Sequence, residues 1–188
     1  MIFSQTQFPG LYLIEPKVHG DARGYFFESF LQAEFDKEVG QVKFVQENES
    51  KSGYGVLRGL HFQKPPFAQA KLVRCISGSI VDIVVDLRTD SPTYKKWFSV
   101  NLSGDNKLQL FIPRGFAHAF CTLEADTDVA YKVDSYYAPD CESGIIWNDP
   151  DIAIDWPVAA DDVLLSEKDA VLPRLVDVQS PFSYRDRE

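Results

Sequence analysis

Short runs of β-branched and aromatic residues, each closed by turn formers, recur along most of the chain and limit what it can fold into. IVDIVVDLR, KKWFSVNL, LQLFIP, FAHAFCTL and DVAYKVDSYY succeed one another with turn-like gaps. Val, Ile, Phe and Tyr at this density suit a pleated surface, where bulky side chains pack against cross-strand neighbours. Many short strands at close spacing argue for a sandwich or a jelly roll. At 188 residues the chain can bury one core without staples, so 1–188 reads as a single domain.

The remaining segments add little helix. FPGLYLIEPKVHGDARGYFFESF is strand-like with a turn at HGDARG. LQAEFDKEVG places Leu31, Phe35 and Val39 at helical spacing and stops at Gly40. QVKFVQENESK reads as a strand with Val42, Phe44 and Gln46 on one parity. YGVLRGLHFQ and AKLVRCI follow, separated by a loop with Pro65 and Pro66. The Ser77-Gly78-Ser79 turn makes IVDIVVDLR the hairpin partner of AKLVRCI. SEKDAVLP reads as a short helix, with Ser166 and Asp169 as a capping-box-like start and Pro173 as its limit. The expected fold is all-β, a jelly roll with two or three short peripheral helices.

Charge and cysteine usage remove several function classes. Net charge is −9 and no Lys/Arg run occurs, so a nucleic-acid partner is not expected. An anionic ligand would then need a local cluster of cations. Cys75, Cys121 and Cys141 are odd in number and widely spaced, which fits a reducing cytoplasm rather than a disulfide framework. The start has no basic, apolar signal pattern, and no run approaches the ~20 apolar residues of a membrane helix.

The stretch RGLHFQKPPFAQAKLVRCISG breaks the strand pattern. Leu60 and Phe62 share one face, His61 and Gln63 the other. Lys71 shares a face with Val73 and Cys75. A cation among apolar residues either lines a cavity or snorkels to water along its stem. His61 and His118 are two of three histidines and can move protons near neutral pH, or simply sit hydrogen-bonded in a core. A metal-binding HxH pair is not formed, because Gln63 stands at its second position and Gln is a poor ligand for most transition metals. Asp169 can orient a histidine or only cap its turn. Tyr131 can donate a proton or pack in a strand. Tyr137 can stack on a flat ring, as can Tyr136 beside it. GDARGYFFES offers Arg23, Phe26 and Glu28, with a guanidinium fork suited to phosphate. No phosphate-binding glycine loop exists, so any phosphate must be held by side chains.

Taken in order, DARGYFFESF, VQENESKSGYGVLRGLHFQKPPFAQAKLVRCISGSIVDIVVDLR, SPTYKKW, LQLFIPRGFAHAF, YKVDSYYAPDCESGIIWNDPDIAIDWP and LSEKD resemble the dTDP-4-dehydrorhamnose 3,5-epimerase family of cupin-fold enzymes. The resemblance implies a cofactor-independent isomerase acting on a dTDP-sugar, with His61 as base, Asp169 as its partner, Tyr131 as acid and Lys71 beside the 4-keto oxygen. It also implies substrate contacts by Arg23, Glu28, Gln46, Asn48, Arg58, His118, Glu142 and Lys168, with stacking by Tyr137 and Phe26 in the same recognition segment. It further implies a homodimer that exchanges N-terminal strands, so that Arg23 and Glu28 serve the partner's site. One departure is Ala119, where the family often has glycine. Its methyl is expected to tighten the pocket beside His118. The rival readings are a single-centre epimerase, a non-catalytic nucleotide-sugar-binding cupin and a metal-dependent cupin oxygenase.

Overall fold

The computed structural model describes residues 1–185. Its strands are β1 (Ile2–Gln5), β2 (Tyr12–Glu15), β3 (His19–Asp21), β4 (Gly24–Phe26), β5 (Gln46–Ser52), β6 (Leu57–Gln63) and β7 (Lys71–Ser77). They continue with β8 (Ser79–Asp86), β9 (Trp97–Ser103), β10 (Gln109–Ile112), β11 (Phe116–Thr122), β12 (Thr127–Val133) and β13 (Glu142–Gly144). One sheet runs β1-β2-β10-β7-β12-β5, and the other β13-β6-β11-β8-β9. The strand pairs within both sheets are antiparallel. This is the expected cupin-type jelly roll, and β3 and β4 form a separate ribbon outside it.

Alternation along the strands sorts side chains into three apolar layers. Val73, Cys75, Ile80, Val84, Phe116, Phe120 and Val129 fill the space between the sheets. Leu60, Phe62, Ile83, Val85, Ala117 and Ala119 face outward from the second sheet and are covered by Ile145, Ile152, Val158, Leu175 and Phe182. Ile14, Leu72 and Phe111 face outward from the first sheet against Phe35 of α1 (Gln32–Glu38). The layer between the sheets stays apolar beside β9 and β10. It turns polar among β5, β6, β7, β11 and β12, where bulk gives way to a cleft.

Several local expectations need correction. β7 and β8 do not form a hairpin: β7 lies between β10 and β12, and β8 between β11 and β9. One residue, Gly78, separates them, too few for the two-residue loop of a tight hairpin. The chain instead crosses between sheets there, with Gly78 at φ +74°. A Cβ on Gly78 would meet Thr127 Oγ1 at 2.3 Å, so a side chain cannot be added without displacement. Residues 41–44 are not strand: Val42 and Phe44 pack beside Phe35, while Gln46 faces the cleft. Gln32 Nε2 donates to the Val42 carbonyl, replacing ladder bonds in that segment. The helix expected at SEKDAVLP is a single 3-10 turn, Asp169–Val171, capped by Ser166 Oγ accepting from Asp169 N–H at 3.1 Å. Three further 3-10 turns lie at Pro139–Cys141, Ala160–Asp162 and Leu175–Asp177, so α1 is the one α-helix among the described residues. The tail SPFSY is structural: Phe182 packs edge-on against Phe62, and its carbonyl accepts from Thr89 N–H. No helix among the described residues is long and apolar enough to cross a membrane.

Candidate active site

The cleft consists of two hollows of about 430 and 260 Å³ that share His61, Lys71 and Tyr131. The mixed strand faces therefore have their explanation: Lys71 points between the sheets with Val73 and Cys75, into a cavity. His61 stands on β6 directly opposite His118 on β11. The two strands lose register between His118 and Phe120, where β6 carries an extra residue at Gly59–Leu60. Gly59 has φ +126°, and a Cβ there would meet the His118 carbonyl at 2.5 Å. This bulge re-aims the strand, so that Arg58 and His61 both line the cleft despite lying three positions apart.

Asp169 reaches His61 from the 3-10 turn of the C-terminal segment. Its Oδ1 lies 2.5 Å from His61 Nε2. The carboxylate is buried, while the His61 side chain keeps 28% of its surface open. Burial pulls the Asp169 carboxyl up, but bonds from His61, Ser166 and the Gly59 N–H hold it below the usual carboxylate range. An ionised Asp169 keeps the imidazole proton on Nε2, leaving the lone pair on Nδ1. A ring held this way can accept a proton from a bound molecule.

Lys71 and Tyr131 complete the centre. Burial pushes the Lys71 ammonium down to about 8, against the pull of Asp82 and then Glu142. Its Nζ lies 6.0 Å from the centre of the Tyr131 ring. Burial raises the Tyr131 phenol, opposed by Arg58 and an Asn48 hydrogen bond, so it holds its proton at neutral pH. The cleft thus offers a proton acceptor, a proton donor and a cation in one space. The cations sought in an otherwise acidic chain converge here: Arg58, Lys71 and Lys168 line the larger hollow.

The smaller hollow holds Gln46, Asn48, Tyr137 and Glu142. Tyr137 Oη donates to Glu142 Oε2 at 2.7 Å, and Glu142 also pairs with Lys168. Burial raises the Glu142 carboxyl, but Lys168 and Tyr137 together hold it below its usual range. Gln63 explains how this end is built. Its Nε2 donates to the carbonyls of Phe67 and Tyr136, and its Oε1 accepts from Ala138 N–H at 2.7 Å. Its amide clamps the loop on both sides of Tyr137, and Tyr137 rather than Tyr136 lines the hollow.

Arg23, Phe26 and Glu28 are not brought to this cleft. Arg23 is exposed and paired with Asp21, and Phe26 is 68% exposed on the β3–β4 ribbon. Glu28 is exposed just beyond it. Ala119 does not tighten the pocket as expected: it is fully buried on the opposite side of β11, against Leu60 and Ile83. Two residues were missed by sequence reasoning. Asp82 on β8 is fully buried, and both its oxygens lie within 3.0 Å of His118 Nε2. A carboxylate inside the apolar run IVDIVVD was the available signal. Ser50 lines the larger hollow and gave no signal of its own.

The sequence profile of dTDP-4-dehydrorhamnose 3,5-epimerases matches residues 5–177. The chain belongs to that family. The dTDP-4-dehydrorhamnose 3,5-epimerase of Shigella flexneri is 51% identical over 174 residues, covering 92% of this chain and 95% of its own. The crystal structure of the 3,5-epimerase RmlC from Legionella pneumophila, in complex with dTDP-4-keto-L-rhamnose, superposes with a TM-score of 0.93 at 45% identity. It covers 97% of this chain and 98% of that one. ChmJ, a 3′-monoepimerase from Streptomyces bikiniensis solved with dTDP-quinovose, superposes at 0.85 with 34% identity, covering 91% of this chain and 86% of its own. The epimerase family's scaffold therefore includes a single-centre relative.

Proposed function

We propose that this protein is a dTDP-4-dehydrorhamnose 3,5-epimerase, converting dTDP-4-dehydro-6-deoxy-D-glucose to dTDP-4-dehydro-L-rhamnose. The observation that carries the reading is the meeting of the His61–Asp169 pair, Tyr131 and Lys71 in one cleft of a chain from this family. His61 removes the proton from C5, and then from C3, each beside the 4-keto group. Lys71, with Arg58 near it, stabilises the enolate oxygen that forms, a contribution of roughly 3 kcal/mol for one such donor. Tyr131 returns the proton on the opposite face, which inverts the centre. Each inversion leaves His61 protonated and Tyr131 deprotonated, and proton exchange with solvent restores both before the next; no redox partner is involved, so the reaction needs no cofactor. Gln46, Asn48, His118, Glu142 and Lys168 contact the substrate, and Tyr137 stacks on the thymine.

The same proposal includes a homodimer in which Arg23, Phe26 and Glu28 act across the interface. It is supported by the exposed ribbon, where Tyr25 and Phe26 leave 60% and 68% of their surface uncovered. A cytoplasmic location fits the three free cysteines.

The deciding experiment incubates the protein with dTDP-4-dehydro-6-deoxyglucose in heavy water and follows C3 and C5 by NMR. Deuterium at both carbons is expected. Deuterium at one carbon makes it a mono-epimerase on the same scaffold. Exchange at neither, in protein that binds dTDP, leaves a nucleotide-sugar-binding cupin and overturns the reading.

A further inference from the structure

Four residues of β5 with the same parity, Gln46, Asn48, Ser50 and Ser52, face the neighbourhood of the cleft. Gln46 Nε2 donates to Asn48 Oδ1 at 2.8 Å, and its Oε1 accepts from Tyr137 N–H. Asn48 also bonds Tyr131, its cross-strand neighbour. Ser52 Oγ accepts from the Arg58 guanidinium at 3.3 Å. Ser50 has nothing comparable. Among the described residues, its Oγ is the one buried side-chain nitrogen or oxygen without a hydrogen-bond partner. Buried polar groups in native proteins are nearly always paired, so such an exception calls for a cause.

The surroundings of Ser50 indicate the cause. It lines the larger hollow with His61, Lys71, Tyr131 and Asp169. Gln46 and Asn48, further back along the strand, line the smaller hollow with Tyr137 and Glu142. Ser50 thus lies on the reacting side of the cleft, away from the stacking tyrosine. Apart from His118, paired with Asp82, and Ser166, whose hydroxyl accepts from Asp169 N–H, the other polar side chains there are cations or proton-transfer groups. A neutral hydroxyl, able to donate and accept, suits another hydroxyl better than a ketone or a phosphate.

We propose that Ser50 is a specificity contact whose hydroxyl hydrogen-bonds a ring hydroxyl of the sugar. The inference rests on the epimerase reading and adds a residue to it. Ser50 Oγ is buried and unpaired in the free protein, and rotation about its Cα–Cβ bond turns it to the sugar when the sugar is bound. The keto sugar has two free hydroxyls, at C2 and C3, and Ser50 meets one of them.

The test uses full-length Ser50→Ala. A hydroxyl that supports the fold would lower the melting temperature when removed. Removing an unpaired one leaves the melting temperature unchanged or raises it. On the natural substrate, kcat/KM is expected to fall about tenfold. Affinity for dTDP alone is expected to stay within about twofold, since the contact is to the sugar. The 2-deoxy and 3-deoxy analogues then identify the partner: wild type and variant perform alike on the one that lacks it. An active wild type with an equally active Ser50→Ala overturns the Ser50 proposal alone. So does an equal loss of dTDP affinity, a lowered melting temperature with unchanged rates, or a defect that persists on both analogues. A wild type that exchanges deuterium at neither carbon brings down the epimerase reading, and this proposal with it.

Discussion

Two histidine–aspartate pairs stand across one strand pair, and they differ in access. His61 and His118 are direct neighbours on β6 and β11. His61 meets Asp169, which arrives from a turn outside the sheets, and its side chain is 28% open. His118 meets Asp82 of the adjacent strand, and its side chain is 7% open. Burial holds His118 below its ordinary range, against the opposing pull of Asp82. Asp169 keeps the Ser166 hydroxyl and the Gly59 N–H as further partners, whereas His118 is the hydrogen-bond partner described for Asp82. The same two residue types thus form a half-open pair where the cleft widens and a nearly closed pair where it narrows.

The largest expected effect breaks the open pair. His61→Ala should lower deuterium exchange at both carbons by about 10³- to 10⁴-fold, as removal of a general base does. Melting should barely move, because Asp169 retains its other bonds. An exchange loss below tenfold would place the base elsewhere.

Next in size is the cation between the pairs. Lys71→Met should cost roughly 10² to 10³ in kcat, the scale of one oxyanion donor. The wild type should lose activity as pH rises through about 8, where Lys71 gives up its proton. The stability sign is opposite. Below that pH the folded chain holds a charge that burial disfavours, and this penalty fades between about 8 and the ordinary lysine value of 10.5. Lys71→Met should therefore raise the melting temperature at pH 7 while abolishing most turnover. Steady-state pH profiles and calorimetry check both halves.

The closed pair should show its effect in stability. His118→Ala strands a fully buried carboxylate and should cost about 3 to 5 kcal/mol by urea unfolding. The same experiment on His61→Ala should give a smaller loss, because Asp169 keeps its bonds from Ser166 and the Gly59 N–H. Equal losses would erase the distinction between the pairs. The smallest effect lies at the far end: Tyr137→Ala should weaken dTDP binding about tenfold, the scale of one base stacked on an aromatic ring. Titration calorimetry reads it directly.

Much of this is legible in the sequence, for reasons that can be named. Alternation alone put His61 opposite to Leu60 and Phe62 and put Lys71 with Val73 and Cys75, because a strand's period is fixed. What failed was pairing. Nothing local in Ser77-Gly78-Ser79 distinguishes a turn within a sheet from a crossing between sheets; that depends on partners far along the chain. The role of Gln63 escaped because its bonds reach Tyr136 and Ala138, over seventy residues away. Asp82 is not legible from its own strand, because its partner His118 lies 36 residues away on β11. Ser50 could not be found by pattern, since what marks it is a missing bond.

Asp169 sits 108 residues after His61, in the segment that covers the second sheet. The strands that carry His61, Lys71 and Tyr131 all precede it. During synthesis, therefore, a growing chain has every strand of both sheets before it has the carboxylate that holds His61. The barrel and the competence of its histidine are made at different times. A chain cut short after Gly144 would carry the whole strand set with an unsteered imidazole, which makes the covering segment the last switch thrown in building the enzyme.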